Sequence, residues 1–308
     1  MTVLVFGSIN MDLTAYVPWL PRAGETIFGE SVITVPGGKG ANQAVAAARL
    51  GARVRMFGRV GRDAFGGDLL AGLASEGVQT DGVLTDSDHP TGLALIHVDD
   101  EGENTIVVIS GANMALDKSD VTRCASALDS AEVLLLQLEV PLEANLAIAR
   151  EARRRGVIVI LDPAPSRQLP AELFPLLDVI TPNEGEVEPL LGFPVRDGGD
   201  AARAAAQLRS LGCASAVVKL GSRGSYLDSR DRRGLIPPFP VEVVDSVAAG
   251  DAFNGGLAAA LAEGKELPEA LSWASAAGAL AVTREGAIPS LPRRDELERM
   301  LRSRADER

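Results

Sequence analysis

Three glycine-led segments carry the side chains best suited to chemistry. The first, Pro36-Gly37-Gly38-Lys39-Gly40-Ala41-Asn42-Gln43, runs into an alanine-rich stretch. Glycines let a ligand approach the backbone, and a helix N-terminus offers unpaired N–H groups. Asn42 falls within the first helical turn, where its amide suits sugar hydroxyls. A turn followed by a capped helix accounts for the same residues. The second, Asp245-Ser246-Val247-Ala248-Ala249-Gly250-Asp251, leads into another alanine-rich stretch. The main-chain amides of Ala248, Ala249, Gly250 and Asp251 make a candidate anion nest, helped by the helix dipole. Asp251 adds a carboxylate there, although an aspartate at a helix start also serves as an ordinary N-cap. The third, Lys219-Leu220-Gly221-Ser222-Arg223-Gly224-Ser225, follows an apolar run and can pass beneath a nucleotide. A plain βα or β-hairpin turn explains it equally well.

What is missing narrows the chemistry. No GxxxxGK[ST] occurs, and no GxGxxG follows the first apolar run, which argues against Walker-type and dinucleotide sites. The two histidines, His89 and His97, are too few for a histidine metal cluster and stand beside a predicted hairpin. The two cysteines, Cys124 and Cys213, show no CxxC spacing and read as buried small hydrophobes in a reducing compartment. A net charge of −12 argues against nucleic acid or an anionic membrane as the main partner. The N-terminus lacks a basic n-region, and no apolar run approaches the ~18 residues of a membrane span, so a soluble cytoplasmic protein is expected.

The elements that position these segments alternate. Val3-Leu4-Val5-Phe6 is a continuous apolar run stopped by Gly7, the pattern of a fully buried strand. Lys39 to Gly51 predicts a helix closed by its glycine. Strands are predicted at 53–58, 133–138, 157–161, 179–181 and 214–218. Helices are predicted at 68–76, stopped by Gly77, and at 142–155, capped by Gly156. Such βα alternation implies a mostly parallel sheet with helices on both faces. Two stretches, about 13–36 and 91–110, are strand-like but polar and glycine-punctuated. The second has an acidic turn, Asp99-Asp100-Glu101-Gly102-Glu103, between two runs and reads as a hairpin. Together they predict a small antiparallel sheet apart from the α/β body, all within a single domain spanning 1–308. The charged tail 293–308 is expected to fray.

Taken in order, Gly37-Gly38-Lys39-Gly40-Ala41-Asn42 and Asp245-Ser246-Val247-Ala248-Ala249-Gly250-Asp251 resemble the two signatures of the phosphofructokinase-B-type carbohydrate kinases. Within that family the likeness is greatest to its ribose kinases. It extends through Gly7–Asp12, Gln137-Leu138-Glu139, Asp162-Pro163-Ala164-Pro165, Thr181-Pro182-Asn183-Glu184 and Leu220–Gly224 to Ala281–Arg284, Gly286 and Ser290, so it covers the chain from Val3 to about Pro292. The resemblance implies a three-layer α/β sandwich with a β-sheet lid over the sugar, and a homodimer paired through the lids. It implies transfer of the ATP γ-phosphoryl group to the 5-hydroxyl of D-ribose, with Asp251 as general base and Ala248, Ala249 and Gly250 as the amides around the phosphoryl.

The matching sugar contacts are Asn10, Asp12, Gly38, Lys39, Gly40, Asn42 and Glu139. Those for ATP are Asn183, Lys219, Leu220, Gly221, Ser222, Arg223, Gly224, Gly250 and Ser275, with Glu186 organising Mg²⁺ through water. A monovalent cation, K⁺, is implied at Asp245, Val247, Ala281, Arg284, Gly286 and Ser290. The chain departs from the family pattern at Ser275, where the ribose kinases have a histidine near the adenine, and at Ser246, where threonine is usual. A related kinase for deoxyribose, fructose or a nucleoside shares the same machinery. A sugar-binding protein without turnover and a nicotinamide dehydrogenase are the alternatives from other classes. The retained carboxylate with its nest weighs against the first, and the missing glycine fingerprint against the second.

Overall fold

The computed structural model describes residues 1–306. The opening apolar run forms β1 (Thr2–Phe6), buried along its whole length. Its side chains alternate between two cores, Val3 and Val5 to one face and Leu4 and Phe6 to the other. That two-sided burial is what a continuous apolar strand requires.

From β1 the chain runs through β2 (Asn10–Tyr16), β3 (Ser31–Gly37), α1 (Lys39–Arg49), β4 (Arg53–Gly61), α2 (Ala64–Ser75), β5 (Val78–Asp86), β6 (Gly92–Val98) and β7 (Asn104–Ile109). It continues with α3 (Lys118–Ala127), β8 (Val133–Leu136), α4 (Leu142–Arg154), β9 (Ile158–Leu161), β10 (Val179–Ile180), α5 (Glu184–Leu191), α6 (Gly198–Ser210) and β11 (Ser215–Lys219). It closes with β12 (Ser225–Asp228), β13 (Arg233–Ile236), α7 (Ala249–Ala262), α8 (Leu267–Ala281) and α9 (Arg294–Asp306).

The main sheet has the order β13-β12-β11-β10-β9-β8-β1-β4-β5. The seven strands from β11 to β5 pair in parallel, while β12 and β13 extend it antiparallel. Helices α1, α7 and α8 pack on one face, and α3, α4 and α6 on the other, giving the expected three layers. After β5 the order jumps back across β1 to β8, so the direction of winding reverses between β1 and β8. In open α/β sheets the ligand crevice lies outside the carboxyl ends of the strands at such a reversal.

The second sheet has the order β3-β2-β6-β7 and is mixed where an antiparallel sheet was expected: the two hairpins pair antiparallel within themselves, but β2 and β6, which join them, run parallel. The acidic hairpin is present: Gly102 takes a positive φ, and the Asp99 carboxylate accepts from the Glu101 and Glu103 amides. Residues 17–30 hold no strand, so the first stretch is strand only at its two ends.

Two further expectations need correction, and three strands were not foreseen. Helix α2 begins four residues early, because Asp63 caps it by accepting from the Gly66 amide. Strands β5, β12 and β13 carry mixed polar sequences at the sheet's two ends, where no continuous apolar run marks them. The charged tail is helical to Asp306: Leu297 is fully buried, and Arg294 stacks on the Trp273 ring at 4.2 Å. Glu307 and Arg308 lie outside the described residues.

Candidate active site

The two glycine-led signatures meet because α1 and α7 pack almost backbone to backbone. A Cβ on Gly255 of α7 would come within 2.4 Å of the Ala46 methyl and 2.9 Å of the Ala47 amide, so only hydrogen fits. This contact sets Asn42 and Gln43 of α1 against Asp251 in the first turn of α7. Asn42 Nδ2 donates to Asp251 Oδ2 at 2.9 Å, and Gln43 Nε2 donates to Oδ1 at 3.0 Å. Asp251 is therefore not an N-cap. Ala248 is the N-cap residue, in the left-handed region at φ 57°, and both Asp251 oxygens are bound by another helix.

Burial pushes the Asp251 carboxyl up to about 6; Lys39 opposes the shift, Asp162 adds to it, and the bonds from Asn42 and Gln43 oppose it. A carboxylate so poised can accept a proton near neutral pH. The Gly250 and Asp251 amides lie in the first helical turn, where no intrahelical carbonyl can reach them. Asn42 Oδ1 is buried with no partner among the described residues, an acceptor waiting for a donor.

Across the pocket, the end of β1 and the start of β2 supply Ser8, Asn10 and Asp12. Asn10 Oδ1 accepts from Asn113 Nδ2 at 2.6 Å, which fixes the orientation of the Asn10 amide. Burial, then the charges of Glu139 and Asp251, push Asp12 up to about 6. Glu139 Oε2 accepts from Ser8 Oγ at 2.5 Å and from the Lys39 amide at 3.1 Å. Gly38 takes φ 89° with its Cβ position 2.7 Å from the Asn10 amide, so glycine is required there on both counts. Lys39 is surrounded by acids: burial works against its charge, but Asp251, Asp162, Glu139 and Glu186 hold the ammonium above the ordinary lysine range. The sugar-side residues expected from the sequence thus lie together, as carboxylates and amides around one lysine.

The nucleotide-side residues form a neighbouring group. Lys219–Ser225 is a β-hairpin turn between β11 and β12, the plainer of its two readings. Gly221, Ser222 and Arg223 are exposed there, beside Leu220 and Gly224, and Arg223 pairs with Glu184. Lys219 turns inward, its Nζ 2.9 Å from Asp162 Oδ1 and 3.4 Å from the Cβ position of Gly250. Asn183 and Glu186 cap α5 reciprocally: the Glu186 amide donates to Asn183 Oδ1 at 2.9 Å, and Glu186 Oε2 accepts from the Asn183 amide at 2.7 Å. Burial raises the Glu186 carboxyl against the pull of Lys219. Ser275 is half-buried on α8.

At the rim, Asp245 ties two loops, accepting from the Val247 amide at 2.9 Å and the Gly286 amide at 2.8 Å. The Val244 and Asp245 amides donate in turn to the carbonyl of Val282, next to Ala281. Ser290 Oγ donates to the Ala287 carbonyl, while the Arg284 side chain turns away to Glu296. Both Asp245 oxygens are thus held by main-chain amides, and the carbonyls of Val282 and Ala281 are each taken by an amide as well, Ala281's by that of Arg284. A carboxylate beside main-chain carbonyls is the class of donor that a large monovalent cation takes.

Sequence reasoning assigned no role to Gln43, Asp162, Asn113, Asn254 or Thr181. Gln43 Nε2 bridges Asp251 and Asp162, and Thr181 Oγ1 donates to Asn254 Oδ1, whose amide donates to the Gly250 carbonyl. Asp162 and Thr181 were visible only as members of recurring segments. Gln43 closes the first glycine-led segment, but nothing local showed that it would bridge two distant acids.

Comparisons with known proteins place this geometry. The profile of the pfkB family carbohydrate kinases matches residues 2–294. The ribokinase of Haemophilus influenzae is 41% identical over 295 residues, covering 96% of each chain. The crystal structure of Thermotoga maritima ribokinase superposes with a TM-score of 0.90 at 37% identity, covering 98% of this chain and 99% of that one. Arabidopsis thaliana ribokinase complexed with ribose and ATP gives the same TM-score at 36% identity, over 97% and 98% of the chains. With a buried acid beside a helix-start nest at the carboxyl edge of a matching sheet, the chain belongs to the pfkB family of carbohydrate kinases.

Proposed function

We propose that this chain phosphorylates D-ribose at O5, using ATP as donor and giving ribose 5-phosphate and ADP. The observation that carries the reading is Asp251, buried and held through both oxygens beside the first-turn amides of Gly250 and Asp251, which have no intrahelical partner, whereas the Ala249 amide donates to the Ser246 carbonyl. The Arabidopsis relative, whose structure contains ribose and ATP, shares this fold over nearly its whole length.

In this reading O5 of the sugar lies against Asp251. As O5 attacks the γ-phosphorus, its proton passes to the carboxylate and the bond to the β–γ bridging oxygen breaks, leaving ADP. The amides of Ala248, Ala249, Gly250 and Asp251, with the helix dipole, stabilise charge spread over the transferring phosphoryl oxygens. Lys39 offsets the acids around the sugar. Asn10, Asp12, Asn42 and Glu139 bind hydroxyls, and an acceptor lacking one leaves buried polar groups unpaired and is disfavoured. Asn183, Lys219–Gly224 and Ser275 line the nucleotide side.

Magnesium arrives with ATP as part of the substrate, and Glu186 would hold it through water, as suits an ion that dehydrates reluctantly. Potassium held by Asp245 and the carbonyls around Val247, Ala281, Arg284, Gly286 and Ser290 would stiffen the loop that carries the nest. The lid is the second sheet, whose outer strand β7 exposes Ile106 and Val107, each 57% accessible. A homodimer paired through these strands covers that edge. One domain with its lid, working in the cytoplasm, is the arrangement these assignments describe.

A coupled ADP-release assay with ribose, 2-deoxyribose, fructose and adenosine tests the acceptor. Ribose giving the highest kcat/KM is the expected result. Another sugar ahead of it keeps the kinase and overturns the ribose assignment.

A further inference from the structure

Gln43 is fully buried, yet the reaction described above gives it no task. Its amide is fully used. Nε2 donates to Asp251 Oδ1 and to Asp162 Oδ2, each at 3.0 Å, and Oε1 accepts from Gln137 Nε2 at 2.7 Å. An amide nitrogen has two hydrogens, so each carboxylate receives one. The amide has no alternative orientation. Turned over, it would set Oε1 against two carboxylates and its N–H groups against those of Gln137.

The two acids bridged in this way are anchored at their far oxygens as well. Asn42 Nδ2 holds Asp251 Oδ2, and Lys219 Nζ holds Asp162 Oδ1, each at 2.9 Å. A continuous line of bonds therefore runs Asn42–Asp251–Gln43–Asp162–Lys219, from the sugar side to the nucleotide side. Lys219 stands beside Gly250, one of the nest residues.

We propose that Gln43 is a positioning residue that fixes the Asp251 carboxylate and couples its proton affinity to the Asp162–Lys219 pair beside the anion nest. The proposal rests on the reading of Asp251 as general base. The charged groups around Asp251 are Lys39 on α1 and Asp162 after β9, with Asp12 and Glu139 across the pocket and Lys219 beyond Asp162. Substitutions at Gln43 leave all of these in place.

The coupling makes predictions of opposite sign, which a purely space-filling role does not. Gln43→Glu keeps the acceptor facing Gln137 but puts a carboxyl oxygen where two acids had a donor. The acid limb of kcat, measured at saturating ribose and ATP, should move up by about one pH unit. Asp162→Asn removes a neighbouring negative charge and frees Lys219, so the limb should move down, by about half a unit. Ribose affinity, measured by calorimetry, should change less than about threefold in both, because neither side chain is placed against the sugar.

Limbs that stay where they are, or that move in the same direction, overturn the proposal. If Gln43→Glu does not fold by circular dichroism, the Asp162→Asn limb decides alone: a downward shift supports the coupling, and no shift or an upward one overturns it. Asp251→Asn separates the two layers of the argument. An inactive Asp251→Asn with unshifted limbs leaves the base in place and removes the coupling. An active one removes the base and the coupling together.

Discussion

Asp251 and Asp12 feel each other's charge across one pocket, yet they come from regions built on opposite terms. Asp251 stands on α7, locked against α1 through Gly255 and bonded at both oxygens within a buried polar network. Asp12 stands on β2, whose first residues are buried under the site while Tyr16, at its far end, is exposed. The rest of that sheet has little core: every residue of β7 is exposed, and nearby Phe28 is 92% accessible. A group that must meet a reacting hydroxyl within a fraction of an ångström belongs on the rigid part. A cover that must open for the sugar belongs on the weakly packed part. The division of labour therefore follows local packing.

The largest effect should come from the rigid side. Asp251→Asn keeps the shape and both neighbouring amides but loses the base, so kcat should fall by about 10²–10⁴ while ribose binding survives. Steady-state kinetics beside calorimetry checks this, and a variant keeping more than about a tenth of the activity would remove the assigned role.

Next in size is the response to pH, which reports both regions at once. Both carboxyls are raised to about 6, and both serve as anions, so activity is lost as pH falls through 6. The free enzyme carries both groups, so kcat/KM should drop about a hundredfold per pH unit well below 6, a slope of two. Once sugar covers Asp12, kcat should show a slope of only one. A single slope in both profiles would mean that Asp12 does not titrate with the site.

The lid supplies a smaller effect of a different kind. Replacing Ile106 and Val108 on β7 together by lysine puts charge on the edge proposed to pair between subunits. Sedimentation should show a shift to monomer, with KM for ribose raised about tenfold and kcat little changed, since the chemistry stays on α7. A kcat that collapses along with the dimer would place part of the catalytic geometry in the lid.

The same contrast explains what could be read from the sequence. The buried strands β1, β8 and β9 are continuous apolar runs, and the Asp99–Glu103 hairpin carries its own turn chemistry. Strand β5, Val78–Asp86, has no such run, because the outer strand of a sheet buries only part of its side chains. In the site, Asn42 and Asp251 were marked by their glycine-led surroundings. Gln43 stood at the end of the same segment as Asn42 but was given no role, because its meaning comes from a bond to a residue 208 positions away and from a bridge to Asp162 that no local pattern encodes. Likewise, as far as Asp306 the charged tail is helical where fraying was expected, because its arginines find rings and acids elsewhere in the fold: Arg294 meets Trp273 and Glu263, and Arg304 meets Phe239.

The smallest effect belongs to the rim, which is intermediate between the two regions. Asp245 is half-buried and joins the 245–247 loop to Gly286, while Val243, Val244 and Val247 around it remain exposed. Such a loop is held by few contacts, so the proposed cation, bound there, would change how well the nest is fixed without entering the chemistry. Replacing K⁺ by the smaller Na⁺ should lower kcat by about threefold to tenfold and leave ribose affinity unchanged, an effect of about 1 kcal/mol on the barrier. Asp245→Ala should reproduce the loss and make the enzyme indifferent to which ion is present, because the carboxylate serves both the ion and the loop. Equal rates in the two salts with the unaltered chain would show that the rim is already as rigid as the α1–α7 pair, and that the nest needs no ion to hold its shape.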